Sequence, residues 1–356
     1  MSKNSLNEAK SVEKEENEHI ELWPAVAPYF IYDDMIYDAL TTNEPRNNSY
    51  KIAINNLVKD KVVVDIGTGA DAILARFCVE ANAKKVYAIE IMQSSYKKAK
   101  TVIEKLGLEN KIILIYGDAT KVELPEKVDV CVSEIVGSIG GLEGSATILN
   151  NAWRFLKKDG IMIPRRSLTK ISVVSLPKSF INNIKFSELG EEYTHRIFEH
   201  VGSKFDLKVN IEGINESCLV SNEDVFEDLD HISLVKVEHK HEINLIIKKD
   251  STIHGFLAWL NLFTKEDEII DIMKDGYCWS PAFIPVFYPG IDVTYGDRVR
   301  ATIHRTLCKN GINPDYEING CIERQNGENI KFEYKLPHFV DLYKGTPFYQ
   351  KLFEKY

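Results

Sequence analysis

Two glutamates, Glu134 and Glu143, close off the glycine-rich stretch Ser133-Glu-Ile-Val-Gly-Ser-Ile-Gly-Gly-Leu-Glu143-Gly144. Two carboxylates on one short loop suit a planar cation, above all a guanidinium. Its five N–H donors form a rigid fork, and a carboxylate on each edge can hold it by charge-assisted, bidentate bonds. The alternative is a pair of solvated loop acids, and the elements around the loop decide between the two. The loop follows Val128-Asp-Val-Cys-Val132, an apolar run that reads as a buried strand.

Earlier in the chain the β-branched run Lys61-Val-Val-Val-Asp-Ile66 enters Asp65-Ile-Gly67-Thr-Gly69-Ala-Asp-Ala72. Glycines at such a turn let a ligand approach the backbone, and the following helix start offers free N–H groups. The string also satisfies the general dinucleotide pattern, with Glu90 placed for ribose hydroxyls. Asp65 tilts the choice of ligand. A carboxylate beside the turn favours a cofactor with a cationic amino group and penalises a pyrophosphate. Gly117-Asp118-Ala119, after a third strand, is placed to hold an adenine edge. Together these residues point to S-adenosylmethionine rather than NAD.

Strands at 61–66, 85–90, 111–116, 128–132 and 161–164 alternate with helices at 70–82, 94–106 and 147–156, which predicts a parallel, doubly covered α/β sheet. Beyond Pro164 the pattern changes to short alternating runs: 169–176, 233–237, 242–247, 253–262, 292–303, 317–323 and 330–334. These predict an antiparallel, mostly β domain. The expected organisation is a flexible tail over 1–20, a Rossmann-like domain with N-terminal helices over 21–164, and a β-barrel substrate domain over 165–356. A charged helical insertion lies at 180–205.

With 44% hydrophobic and 27% charged residues the composition is that of an ordinary folded protein, and a net charge of −9 argues against a broad grip on nucleic acid. Six scattered cysteines form no CxxC pair, which suggests free thiols in a reducing compartment. No run approaches the length of a membrane span, and Met1 to His19 lacks a signal-peptide core. A cytoplasmic protein without metal is expected. His239 and His241 share a strand face but lack a third ligand, so they read as surface histidines.

These motifs resemble those of the protein arginine methyltransferases, over most of the chain. Asp60 to Gly69 resembles that family's cofactor motif, Lys84 to Glu90 its ribose-binding strand, and Ser133 to Glu143 its double-glutamate loop with the family's spacing. Tyr29-Phe30 and Asp33-Asp34-Met35 resemble the helix that closes over the cofactor. His254 to Trp259 and Cys278-Trp279-Ser-Pro281 resemble a barrel strand and the substrate loop. The resemblance implies an S-adenosylmethionine-dependent N-methyltransferase acting on an arginine guanidinium, in protein or in a free arginine-like molecule. It assigns Glu134 and Glu143 to catalysis, Tyr32, Met35 and Trp279 to the substrate pocket, and Asp65, Gly67, Gly69, Glu90, Asp118 and Ala119 to the cofactor. It makes 180–205 a dimerisation arm and the protein a homodimer.

The chain departs from the pattern at three places. Asp71 replaces the last glycine of the turn, and Thr41 stands where a basic residue commonly meets the cofactor carboxylate, with Arg46 and Arg76 as substitutes. Tyr277-Cys278 replaces a threonine-histidine pair. A methyltransferase of another small amine, a non-catalytic relative and an NAD-dependent oxidoreductase are the rival readings.

Overall fold

The fold is described from a computed structural model covering residues 20–25, 41–274, 278–338 and 342–356. Tyr32, Met35 and Tyr277 lie outside the described residues. In chain order the first half comprises β1 (Glu21–Ala25), α1 (Glu44–Leu57), β2 (Val62–Ile66), α2 (Ile73–Glu80), β3 (Lys85–Glu90), α3 (Gln93–Lys105), β4 (Ile112–Tyr116), β5 (Val128–Ser133), α4 (Ser145–Ala152) and β6 (Leu156–Ile163).

Strands β2 to β6 form one parallel sheet in the order β4-β3-β2-β5-β6. All five residues of β2 are buried, as expected for a central parallel strand covered on both faces. Chain order reverses between β2 and β5. Ligands of open α/β sheets bind at the carboxyl end of such a switch point. The glycine turn leaves β2 there and the glutamate loop leaves β5 beside it, so the two motifs are neighbours because of the topology.

The second half contains β7 (Arg166–Val174), α5 (Lys178–Asn182), α6 (Glu188–Val201), β8 (Lys208–Glu212), β9 (Asp224–Asp230), β10 (His239–Ile246), β11 (Ser251–Ile253), β12 (Gly255–Lys265), β13 (Glu268–Asp271), β14 (Ala282–Ile284), β15 (Ile291–Val293), β16 (Arg298–Leu307), β17 (Pro314–Glu323), β18 (Asn329–Leu336) and α7 (Pro347–Leu352). Its strands pair antiparallel, as expected. They form a sheet ordered β1-β8-β14-β12-β7-β9, with β13 on β12, and a second ordered β10-β16-β17-β18. Among the described residues these ladders do not join into one closed barrel.

Two further expectations are corrected. Residues 21–25, assigned to the helical start of the first domain, form a strand that pairs with β8 of the second. Residues 233–237 form no strand. Asn150 takes the place of a ladder there, donating from Nδ2 to Val235 O at 2.8 Å and accepting from Val235 N at 2.9 Å. The insertion at 180–205 is helical as expected. Within this chain Phe198 of α6 packs on Phe205, Phe353 and Tyr356, so that face is buried against the C-terminal segment.

One apolar cluster joins the halves, running from Val63 and Val86 of the parallel sheet through Leu257 and Trp259 of β12 to Phe198 and Phe353. A second cluster fills the antiparallel region and includes Ile139 and Leu142 of the glutamate loop. The loop is therefore rooted in the second half while it extends from the first.

Candidate active site

A cavity of about 500 Å³ opens along the carboxyl edge of the parallel sheet. Gly67, Gly69, Glu90, Asp118, Ala119, Glu134, Glu143 and Trp279 all line it. Asp65 does not. It is fully buried behind the glycine turn, where Oδ2 accepts from Thr68 Oγ1 at 2.6 Å and from the Ala75 amide at 3.1 Å. Its other oxygen is buried without a hydrogen-bond partner, and burial pushes its carboxyl up to about 7. Its visible work is to hold the turn rather than to face the cavity.

The wall suits S-adenosylmethionine. Gly67 and Gly69 sit at φ +74 and +71, a region that L side chains avoid. Glu90, 3% exposed, accepts from the Gly69 amide at 2.9 Å and the Met92 amide at 2.8 Å, which fixes its carboxylate at the mouth of β3. Burial raises its pKa. Asp118 accepts from the Thr120 amide and hydroxyl at 2.9 and 2.7 Å. Partial burial pushes Asp118 up, but bonds from Thr120 and Lys121 outweigh it and lower its pKa.

At the other end of the cavity, α1 holds the first glutamate. Asn43 caps this helix by accepting from the Arg46 amide. Arg46 and Tyr50, one turn apart, then face the same way. Arg46 donates from Nε and Nη2 to Glu134 Oε2 at 2.9 and 2.6 Å, and Tyr50 donates to the Ser133 carbonyl at 3.0 Å. Burial raises the pKa of Glu134 against the pull of Arg46. Of the two basic candidates, Arg46 lines the cavity and Arg76 does not; Thr41 also lines it. Cys278 lies nearby, and burial followed by the Glu134 charge pushes its thiol up to about 12, so it is protonated at neutral pH and unsuited to act as a base.

Glu143 is half-buried on the cavity wall, followed by Gly144 at φ +84. Arg46 entered the sequence reading only as a substitute, and Tyr50 did not enter it. Their four-residue spacing next to an N-cap was the available signal.

A parallel sheet that presents a glycine turn, a buried acid at the end of β3 and two glutamates along one carboxyl edge, with an antiparallel domain behind them, defines a Rossmann-like α/β architecture with its cavity at the switch point. A family model described as PRMT5 arginine-N-methyltransferase matches residues 18–163. A probable protein arginine N-methyltransferase 6 of Arabidopsis thaliana is 27% identical over 276 residues, 72% of this chain. The chain spans 61% of that relative's length. Protein arginine N-methyltransferase 1 of Schizosaccharomyces pombe is 29% identical over 75% of this chain and 81% of its own. Among solved structures, the Trypanosoma brucei PRMT1 enzyme-prozyme heterotetrameric complex with AdoHcy shares the fold, with a TM-score of 0.69 and 18% identity over 87% of this chain and 100% of that one. The chain is therefore similar to protein arginine N-methyltransferases, in sequence over 72% to 75% of its length and in fold over 87%.

Proposed function

We propose that the protein transfers a methyl group from S-adenosylmethionine to a guanidino nitrogen of arginine, carried by a protein or by a small arginine-like molecule. One observation carries the reading: Glu134 and Glu143 open onto the same cavity as Gly67, Gly69, Glu90, Asp118 and Ala119. Gly67 and Gly69 would seat the methionine portion, Glu90 the ribose hydroxyls, and Asp118 with Ala119 the adenine. Arg46, a basic residue on the wall, would be the partner for the cofactor carboxylate.

S-adenosylmethionine, when bound, supplies an electrophilic methyl on sulfonium sulfur. The protein's task is to present a nitrogen lone pair to it. A guanidinium stays protonated at neutral pH and is a weak nucleophile. Glu134 and Glu143 would grip its two edges, fix its plane and draw positive charge toward the nitrogens that do not react. Positioning of this kind is worth ~7–11 kcal/mol. Trp279 would wall the stem. Transfer would break the cofactor's C–S bond as a C–N bond forms, and the methylated nitrogen would release one proton to solvent.

The decisive experiment follows labelled methyl from S-adenosylmethionine to free arginine and to a glycine-arginine-rich peptide. Transfer to either supports the reading and identifies the carrier. Unimpaired transfer by Glu134→Gln and Glu143→Gln would sink the mechanism. Cytoplasmic residence and a homodimer accompany this proposal, and light scattering on the purified chain checks the assembly.

A further inference from the structure

The glutamate loop has a seat in the second half of the chain. The amide of Gly140 donates to Thr169 Oγ1 at 2.9 Å, and the amide of Gly141 donates to Glu227 Oε1 at 2.7 Å. Thr169 on β7 and Glu227 on β9 are directly opposed in the antiparallel register. Two successive loop amides therefore meet two facing side chains of one sheet. A Cβ on Gly140 would overlap Ser167 Oγ, and one on Gly141 would come within 2.6 Å of Glu227 Oε1. Both glycines are thus matched to this close approach. The next residue, Leu142, accepts at its carbonyl from Asn313 Nδ2 at 2.8 Å. Glu143 comes immediately after.

Glu227 is itself held. Its second oxygen accepts from Arg305 Nη1 at 2.6 Å and from the Tyr316 hydroxyl at 2.7 Å. The Glu227 and Arg305 side chains are 2% and 7% exposed. Arg305 also donates to the Val237 and Lys236 carbonyls. A buried ion pair is a weak source of stability compared with apolar packing, so its retention asks for another role. This one aims a fixed acceptor at a backbone amide two residues before Glu143.

We propose that Glu227 is a positioning residue for methyl transfer. Clamped by Arg305 and Tyr316, it works with Thr169 to dock the Gly140–Gly141 amides and so sets Glu143 against Glu134. The role in transfer rests on the proposed function above; the docking itself does not.

Two double variants isolate the seat. Glu227→Gln with Arg305→Met removes both buried charges together and keeps an oxygen for the Gly141 amide. Glu227→Leu with Arg305→Met removes that oxygen as well. Neither strands a buried ion. Amide hydrogen exchange over 137–144 and methyl-transfer kinetics are compared. The Gln form should retain native exchange and turnover. The Leu form should exchange faster over 137–144 and lose about 100-fold in kcat, with cofactor affinity unchanged.

Equal exchange and equal kcat in the two forms would overturn the proposal. Should both fail to fold, Thr169→Val deletes the Gly140 acceptor alone and Thr169→Ser restores it. Slower turnover and faster loop exchange in the Val form, both rescued by Ser, support the seat; unchanged behaviour in the Val form overturns it. If the wild-type protein methylates no arginine acceptor, the function falls, while the exchange comparison still decides whether Glu227 holds the loop.

Discussion

Arg46 meets Glu134 as a guanidinium laid on a carboxylate, with Nε and Nη2 both donating to the single oxygen Oε2 at 2.9 and 2.6 Å. The side chains are 4% and 8% exposed. The contact uses the same chemistry proposed for the substrate, made with a residue of the chain itself. Convergence on Oε2 leaves Oε1 outside the pair, on a carboxylate that lines the cavity. A substrate guanidinium would share Glu134 with Arg46 rather than displace it.

Removing one member of this pair should be costly. Arg46→Met strands the Glu134 carboxylate, and breaking a buried pair costs about 3–5 kcal/mol. Denaturant titration should show a loss of that order. Combining Arg46→Met with Glu134→Gln should recover much of the stability and none of the activity, because the charge proposed to grip substrate is gone. A double variant no more stable than Arg46→Met would show that the pair is not the source of the loss.

Activity should fall on the acid side at a pH above the usual carboxylate range. In the proposed mechanism Glu134 would grip a cation only when ionised, and burial raises its pKa despite Arg46. In the folded chain its proton is held more tightly than in the unfolded one. Its contribution to stability is therefore present at low pH and lost as pH rises through the folded pKa, while activity gains over the same range. The acid limb of kcat/KM should move higher still in Arg46→Met, since the Arg46 charge that pulls Glu134 down is lost. Profiles of the two proteins between pH 5 and 9, expressed as order-of-magnitude ratios, would test this. An unmoved limb would detach it from Glu134.

Much of this site was legible because parallel strands expose their function at predictable ends. The runs before Gly67, Glu90, Gly117 and Glu134 are β-branched or apolar, and each ends where a polar or glycine residue begins. Side-chain identity at those ends could therefore be read directly. Asp65 was harder to read. Sequence places it at the strand end, but only the pleat reveals that it points behind the turn rather than into the cavity. Glu227, Arg305 and the pairing of Arg46 with Glu134 escaped notice because the partners are far away in sequence; Arg46 and Glu134 are 88 positions apart. Nothing local marks such a pairing. The strand expected at 233–237 failed for a related reason, since a distant Asn150 side chain can satisfy Val235 as well as a neighbouring strand can.

Asp65 should leave a pH signature in stability. Burial pushes its carboxyl up to about 7 from an unfolded value of 3.8, so the protonated form is favoured by folding. The associated stability is complete below the unfolded value and is lost as pH rises toward 7, after which it is flat. Asp65→Asn removes the titration and keeps an oxygen for Thr68 and Ala75. The difference in melting temperature between wild type and variant should change between pH 4 and 7 and stay constant above. A constant difference throughout would mean that Asp65 titrates normally.

Gly144 should resist replacement without loss of turnover. It follows Glu143 directly, has φ +84 and occupies the N-cap position of α4. A Cβ there would lie 2.6 Å from Ile312 Cγ2 and 3.1 Å from the Ile312 carbonyl oxygen. Gly144→Ala must therefore adopt a disfavoured backbone conformation and push against the segment before β17 at the same time. The relief available is a shift of Glu143, the residue next to it, by a fraction of an ångström to an ångström. Misplacement on that scale costs about 100-fold in rate. Cofactor affinity should hold, because Gly67, Gly69 and Glu90 belong to other strand ends. Gly107 provides the control: it also has positive φ, at +64, but no atom lies within 4 Å of its added Cβ. Gly107→Ala should then cost only the backbone strain, on the order of 1 kcal/mol of stability, with kcat unchanged. If the two substitutions lowered kcat alike, the effect would belong to general destabilisation and not to the placement of Glu143.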